Sequence, residues 1–319
     1  MMKILSDKTK QYLVLLIKIL VVASAFYYIY NQLSNDKTLD FKVLLEVMAK
    51  KENYFALFIL ACLTFSNRFI EILKWQNLSS LIKPVSVWQA TKQVLSALTL
   101  GIFTPNGIGE YAGKALYFEK KDASRVIFLN MICNGVQVIY AIVFGLIGLS
   151  ILNQFHEIIP NYYLFIAYAI IATVILILFS LRHFTIKGYS IKSLIEMINE
   201  IPRQKHRKNL ILAFFRYASF THQYVILYYL LGVDIPYFEL LCAVSAIYLM
   251  ASSLPNFQFL EFAVKGSIAM FIFTALGVNQ WVVALVATLI WLLNIVLPIS
   301  IGSIFVMTYR VKQKEEADL

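Results

Sequence analysis

The sequence predicts an all-α integral membrane protein, with about six full spans and two helix–break–helix hairpins forming an inverted repeat. Three observations carry this reading. First, 60% of the 319 residues are hydrophobic and only 14% are charged, with a mean hydropathy of +0.72. A soluble domain covers its surface with roughly 25% charged residues, so the solvent for this chain is lipid. Second, the apolar residues fall in continuous runs of about twenty, long enough for a helix to cross the hydrocarbon core, and not in the alternating segments of a barrel. Lipid offers the backbone no hydrogen bonds, and a helix satisfies its own. Third, one polar motif occurs twice, each time inside an apolar region.

Within a single transmembrane domain over residues 1–319, full spans are expected at 12–30, 54–73, 126–150, 161–181, 210–231 and 281–308. The first comes after Lys3, Lys8 and Lys10 and passes Ala23-Ser24-Ala25, which has the look of a cleavage site. Apolar residues continue through Phe26, Tyr27, Tyr28, Ile29 and Tyr30, so an uncleaved helix is the reading. The hairpins are expected at about 85–120 and 238–276. The first breaks at Pro105-Asn106-Gly107-Ile108-Gly109-Glu110-Tyr111-Ala112-Gly113-Lys114, the second at Pro255-Asn256-Phe257-Gln258-Phe259-Leu260-Glu261-Phe262-Ala263-Val264-Lys265. Both read Pro-Asn, three or four residues, then Glu-aromatic-Ala-x-Lys. Proline removes a backbone donor and stops a helix, and the residues after it can restart one. Gly107 and Gly109 permit a tight break and Asn106 can cap the restarted helix; the second copy lacks those glycines.

Charge gives the orientation. Lys74 and Lys83, then Lys114, Lys120, Lys121 and Arg125, come after the second span and the first hairpin. The segment 182–209 carries Arg182, Lys187, Lys192, Arg203, Lys205, Arg207 and Lys208. The loops 151–160, 232–237 and 277–280 have no lysine or arginine. If each hairpin returns to its side of entry, the basic loops lie inside, with both termini cytoplasmic in a bacterial inner membrane. The loop 31–53, with Lys37, Lys42, Lys50 and Lys51, is the exception. Three spans separate the hairpins, which therefore enter from opposite sides whether they are re-entrant or fully spanning. That is the pattern of transporters whose sites form at broken helices near the midplane.

Glu110 and Glu261 sit beside the breaks, and a carboxylate in lipid costs several kcal/mol unless paired, which marks both for function. Each has a lysine four residues on, Lys114 and Lys265, in the favourable order for a helical ion pair. The pairs are read as transport groups, against neutralising one another and fixing the hairpin; the lysines are alternatively sites for an anionic head group at a restarted helix. Asn106, Asn256 and Arg216 complete the substrate candidates, with Pro105, Gly107, Gly109 and Pro255 as the breaks. Asn130, Asn134 and Gln137 share a helix face, for which hydrogen bonding between helices is the simpler use. Arg216, Ser219 and Gln223 share another with His222 nearby; Arg216 could equally snorkel, and His222 could titrate near neutral pH. For Arg68, Glu71 and Trp75, interfacial anchoring is the default. Cys62, Cys133 and Cys242 lie in apolar runs without metal-ligand spacing and read as small hydrophobes. No nucleotide, phosphate-loop or zinc-protease fingerprint occurs, so no cofactor and no metal are expected, and no segment suits nucleic acid.

The residues Thr104-Pro105-Asn106-Gly107-Ile108-Gly109-Glu110 resemble the Pro-x-x-x-Gly-Glu signature of the lysylphosphatidylglycerol synthase transmembrane-region family. Leu254-Pro255 with Glu261, and Trp291 through Asn294 to Pro298, are similar in the second half, and the layout matches over nearly the whole chain. That family includes the flippase part of the multiple peptide resistance factor and stand-alone relatives, some encoded with glycosyltransferases. The resemblance implies lipid translocation, with Glu110 and Glu261 at the motif carboxylates. The chain ends soon after its last helix, so the soluble lysyltransferase domain is not expected, and the chain is read as a flippase and not an enzyme. The alternatives are a membrane-embedded lipid head-group transferase, or a non-transporting partner of a glycosyltransferase. Membrane lipids are the expected partners, with a glycosyltransferase or lipid-modifying enzyme beside them.

Overall fold

A computed structural model describes residues 46–47, 49–102, 104, 107–181, 185–186, 189–254 and 260–309. The expected first span, and Pro105, Asn106, Pro255, Asn256, Arg182 and Lys187, lie outside the described residues. The described chain is helical but for one two-residue hairpin, Thr185–Ile186 paired with Tyr189–Ser190 in the basic segment, which the all-helical expectation does not contain. The long elements are α1 (Tyr54–Ser79), α2 (Val87–Gly101), α3 (Ile108–Ala115), α4 (Ala123–His156) and α5 (Asn161–Ser180). After the short α6 (Ile191–Asn199) come α7 (Arg203–Leu230), α8 (Tyr237–Ser252), α9 (Glu261–Ala275), α10 (Gln280–Trp291) and α11 (Leu297–Thr308). A π turn, Leu292–Val296, joins the last two.

Among the described residues, four helices are long and apolar enough to cross a membrane: Lys51–Ser79, Lys120–His156, Asn161–Ser180 and Gln280–Thr308. They coincide with the expected spans at 54–73, 126–150, 161–181 and 281–308. The span expected at 210–231 forms the 28-residue α7, which is long enough but not among the four. Its apolar run is interrupted by Arg216, Thr221, His222 and Gln223, and Thr221 and Gln223 are turned into the protein. Here the interior partners of the helix, and not lipid, set the composition of one face.

Both hairpin regions are two helices around a break. The halves have 15 and 8 residues in the first, 16 and 15 in the second. A crossing takes about twenty residues, and each of the four halves is shorter than that among the described residues. α2 starts at a capping box: Ser86 Oγ accepts from the Gln89 amide at 3.2 Å, and Gln89 Oε1 accepts from the Ser86 amide at 2.9 Å. α3 starts at Gly107, whose φ of 68° is left-handed and suits glycine. Between them Thr104 Oγ1 donates to Gly101 O at 2.6 Å and accepts from Gly109 N at 2.8 Å, stapling the turn. A Cβ on Gly109 would stand 3.0 Å from Leu100 O, so the two halves approach at backbone contact.

The helices pack in matching sets. α1 lies along α7; α2 packs on α11 and α8 on α4; α3 touches α4 and α9 touches α10. Glycine opens both long crossings: Gly145 and Gly148 of α4 face α8, and Gly302 of α11 faces Leu95 and Thr99 of α2. The main apolar core joins α4, α7, α8, α9 and α10, and a second cluster around Trp75, Val94 and Leu129 joins α1, α2 and α4. α5 is peripheral, burying only Leu164. The polar residues are gathered where these sets meet.

Candidate functional site

A cavity of about 530 Å³ lies between the two hairpins. α3 contributes Glu110 and Tyr111, α9 contributes Glu261, Phe262 and Lys265, and α4 contributes Asn134 and Gln137. The rest of the polar wall includes Asn67, Arg68 and Glu71 from α1, Arg216 from α7, and Asn294 from the π turn. Tyr224, Tyr248 and Trp291 add aromatic faces. Both motif glutamates, 151 residues apart in the chain, thus border one space.

The wall is a connected network. Arg216 donates through Nε to Asn67 Oδ1 at 3.1 Å and through a terminal nitrogen to Glu71 Oε2 at 3.2 Å. Arg68 donates to the same Glu71 oxygen and, through its other terminal nitrogen, to the backbone carbonyl of Asn294. Asn67 Nδ2 donates to Asn294 Oδ1 at 2.5 Å, and Asn294 Nδ2 donates to Gln223 Oε1 at 3.0 Å. Gln223 Nε2 reaches Thr64 Oγ1 at 2.7 Å. The local cause is legible at Pro298. A proline has no N–H, so the carbonyl four residues earlier, that of Asn294, loses its α-helical donor. The helix widens into a π turn there, and Arg68 takes the carbonyl. Inserted π turns recur at functional sites. With Glu71 buried, removing it would strand two guanidinium groups, a loss of about 3–5 kcal/mol for a buried pair.

The two hairpin lysines behave differently. In the second hairpin Lys265 pairs with Glu261 as the spacing predicts, with its ammonium 4.5 Å from the centre of the Tyr248 ring. In the first, Lys114 does not make the expected local pair. It crosses to α4, donating to Asn130 Oδ1 at 2.6 Å, and lies 4.8 Å from the centre of the Trp75 ring. The reason is distance from solvent: Lys114 is 1% exposed and lies against α4, so Asn130 is within its reach.

The remaining candidates divide. Arg216 does not snorkel; it is a centre of the network. Arg68 and Glu71 are not anchors but interior partners, and Trp75 is fully buried with Nε1 donating to Gln93 Oε1 at 2.6 Å. Asn130 bonds between helices, as its simpler reading has it. Gln137 does not: its amide is buried at the cavity with neither atom hydrogen-bonded within the described residues. His222 is away from the cavity, held between Ala218 O at 2.7 Å and the Tyr237 hydroxyl at 2.6 Å. Gln223 supports Asn294 from behind. Sequence reasoning misses Asn67 and reads Lys74 as an orienting charge after the second span, whereas it is buried inside α1; Asn67, Glu71 and Lys74 have the same i, i+4, i+7 spacing that singles out Asn130, Asn134 and Gln137. Among the described residues no three His, Cys, Asp or Glu side chains come together to hold a metal ion. Compared with known proteins, the chain matches no protein-family model and no curated relative.

Proposed function

We propose that this protein translocates a lipid between leaflets, a phospholipid or lipid-linked amphiphile whose head group passes through the cavity between the hairpins. The observation that carries the reading is that Glu110, Glu261 and Arg216 line one partly open cavity in a bundle with four membrane-length apolar helices. An ionised head group in hydrocarbon costs on the order of tens of kcal/mol, and a polar cavity at that depth lowers this barrier. The resemblance to the lysylphosphatidylglycerol synthase transmembrane family points the same way.

An inverted repeat of α1–α4 and α7–α11 fits this function, and the packing supports it. Exchanging the two sets turns α2 on α11 into α8 on α4, α3 on α4 into α9 on α10, and leaves α1 on α7 unchanged. The basic segment 182–209 would then face the cytoplasm of a bacterial inner membrane, with both termini on that side. Alternating access results if one hairpin moves against the rest.

The test is leaflet exchange of fluorescent lipids in liposomes carrying the purified protein. Glu110→Gln and Glu261→Gln are each expected to reduce exchange about tenfold or more, with helicity and insertion retained. Exchange at the wild-type rate in both variants would remove the hairpins from the pathway. No exchange of any lipid class by folded protein would end the translocation reading.

A further inference from the structure

We propose that Lys74, Lys114 and Asn130 form a phosphate-binding site set behind the cavity wall, beside Glu71. The proposal deepens the translocation reading and rests on it only for the lipid to which the phosphate would be attached. Three buried donor atoms on this stretch have no acceptor within the described residues: Lys74 Nζ, Asn130 Nδ2 and Arg68 Nε. Lys74 and Asn130 are 0% exposed. The orientation of Asn130 is fixed by chemistry: an ammonium only donates, so Lys114 must meet the amide oxygen, and the NH2 group is left with nothing to meet.

Charge makes the unmet acceptor an anion. Glu71 lies in the field of four cations, Arg216, Arg68, Lys114 and Lys74, and Lys74 in turn lies in the field of Arg216 and Lys114 as well as of Glu71. Even with Glu110 of the same wall counted, two buried lysines and two half-buried arginines face two carboxylates. An uncompensated buried charge is costly, and a bound anion removes the cost. The residue types choose among anions. Each arginine already gives one nitrogen to Oε2 of the Glu71 carboxylate and another to Asn67 or to the Asn294 carbonyl. Beside them are two buried ammonium groups and an amide, supplied by α1, α3 and α4, with Lys114 and Asn130 in contact. That set suits a tetrahedral oxyanion rather than a second planar carboxylate.

Position agrees with a route into the cavity. Lys74 is one turn beyond Glu71 on α1. One turn further, Asn77 Nδ2 donates to Lys205 O at 2.9 Å, and Lys205 Nζ donates to Ser80 Oγ at 2.7 Å. The site therefore stands between the basic segment and the cavity, with cations on both sides of it.

The experiment titrates the purified full chain in neutral detergent with three probes: short-chain phosphatidic acid, inorganic phosphate, and a short-chain glycosyl diacylglycerol without phosphate. Tryptophan fluorescence reports Tm. Phosphatidic acid is expected to raise the Tm of the wild type saturably, and the glycolipid is not. Lys74→Met should have a higher ligand-free Tm than wild type, because a lone buried charge is gone, and about tenfold weaker affinity for phosphatidic acid. Asn130→Asp, which supplies its own anion, should weaken affinity similarly and gives a second reading if Lys74→Met does not fold. Saturation by inorganic phosphate at equal affinity would support the site and assign it to free phosphate; far weaker inorganic phosphate would support it as a lipid site. Unchanged affinity in the folded variants, or equal binding of the glycolipid, would overturn it. Leaflet exchange plays no part in these readouts, so the site and the translocation reading can fail separately.

Discussion

The two hairpins share a motif and differ in how they are held. In the first, glycine brings the halves to backbone contact, Gly101 leaves room for the Glu110 side chain, and Lys114 is tied to Asn130 on a neighbouring helix. In the second, Glu261 and Lys265 satisfy each other on one helix and remain partly exposed, at 25% and 18% of their side chains. Gly266 there meets only the Ala287 methyl, at 3.4 Å. The same Glu-aromatic-Ala-x-Lys segment is thus anchored to its neighbours in one copy and self-contained in the other. A self-contained ion pair can move with its helix without leaving a charge stranded, whereas an anchored one holds its helix in place. If one hairpin moves in transport, the second is the better suited.

Three measurements would break or sharpen this contrast. The largest effect is expected from side-chain volume. Gly109→Val should cost about 3 kcal/mol or more, because its Cβ stands 2.9 Å from Thr104 Cγ2 and 3.0 Å from Leu100 O. Gly266→Ala should cost under about 1 kcal/mol. Thermal unfolding of both in one detergent compares them directly, and equal losses would erase the difference in packing. Next comes a double-mutant cycle on Glu261→Gln and Lys265→Met. It should give a coupling of about 1 kcal/mol, reduced from a buried pair's value because both groups reach solvent. In the first hairpin the coupling should appear instead between Lys114→Met and Asn130→Ala. The smallest effect belongs to the entry helices. Ser86→Ala removes both bonds of the capping box and should cost about 1 kcal/mol. α8 starts at Pro236 with no side-chain cap, so Pro236→Ala has no such bond to lose.

Much of the site is legible in the sequence because its signals are local. Proline, glycine and a carboxylate inside an apolar run mark a break and a charge without reference to the rest of the chain, which is how Glu110, Gly107, Gly109 and Glu261 stand out. Arg216 stands out the same way, but its role does not, since snorkelling and burial leave the same trace in sequence. Arg68 and Glu71 read as anchors for that reason: near the end of a span, an interfacial charge and an interior one look alike. The Lys114 partner is misread because the i, i+4 rule describes an exposed helix, where the only neighbour is on the helix itself.

By itself the sequence determined the solvent, the helical class and the places where helices break. The first two come from composition and from apolar runs of some twenty residues, and the third from proline and glycine inside such runs. Tertiary structure alone decided which polar groups meet. Arg216 and Glu71 are 145 residues apart, and Asn67 and Asn294 are 227 apart. Their pairing depends on α1 lying along α7 and on a π turn widening beneath Pro298. The physical reason is that lipid dictates which residues must be hidden, while helix packing alone dictates from whom and beside whom they are hidden.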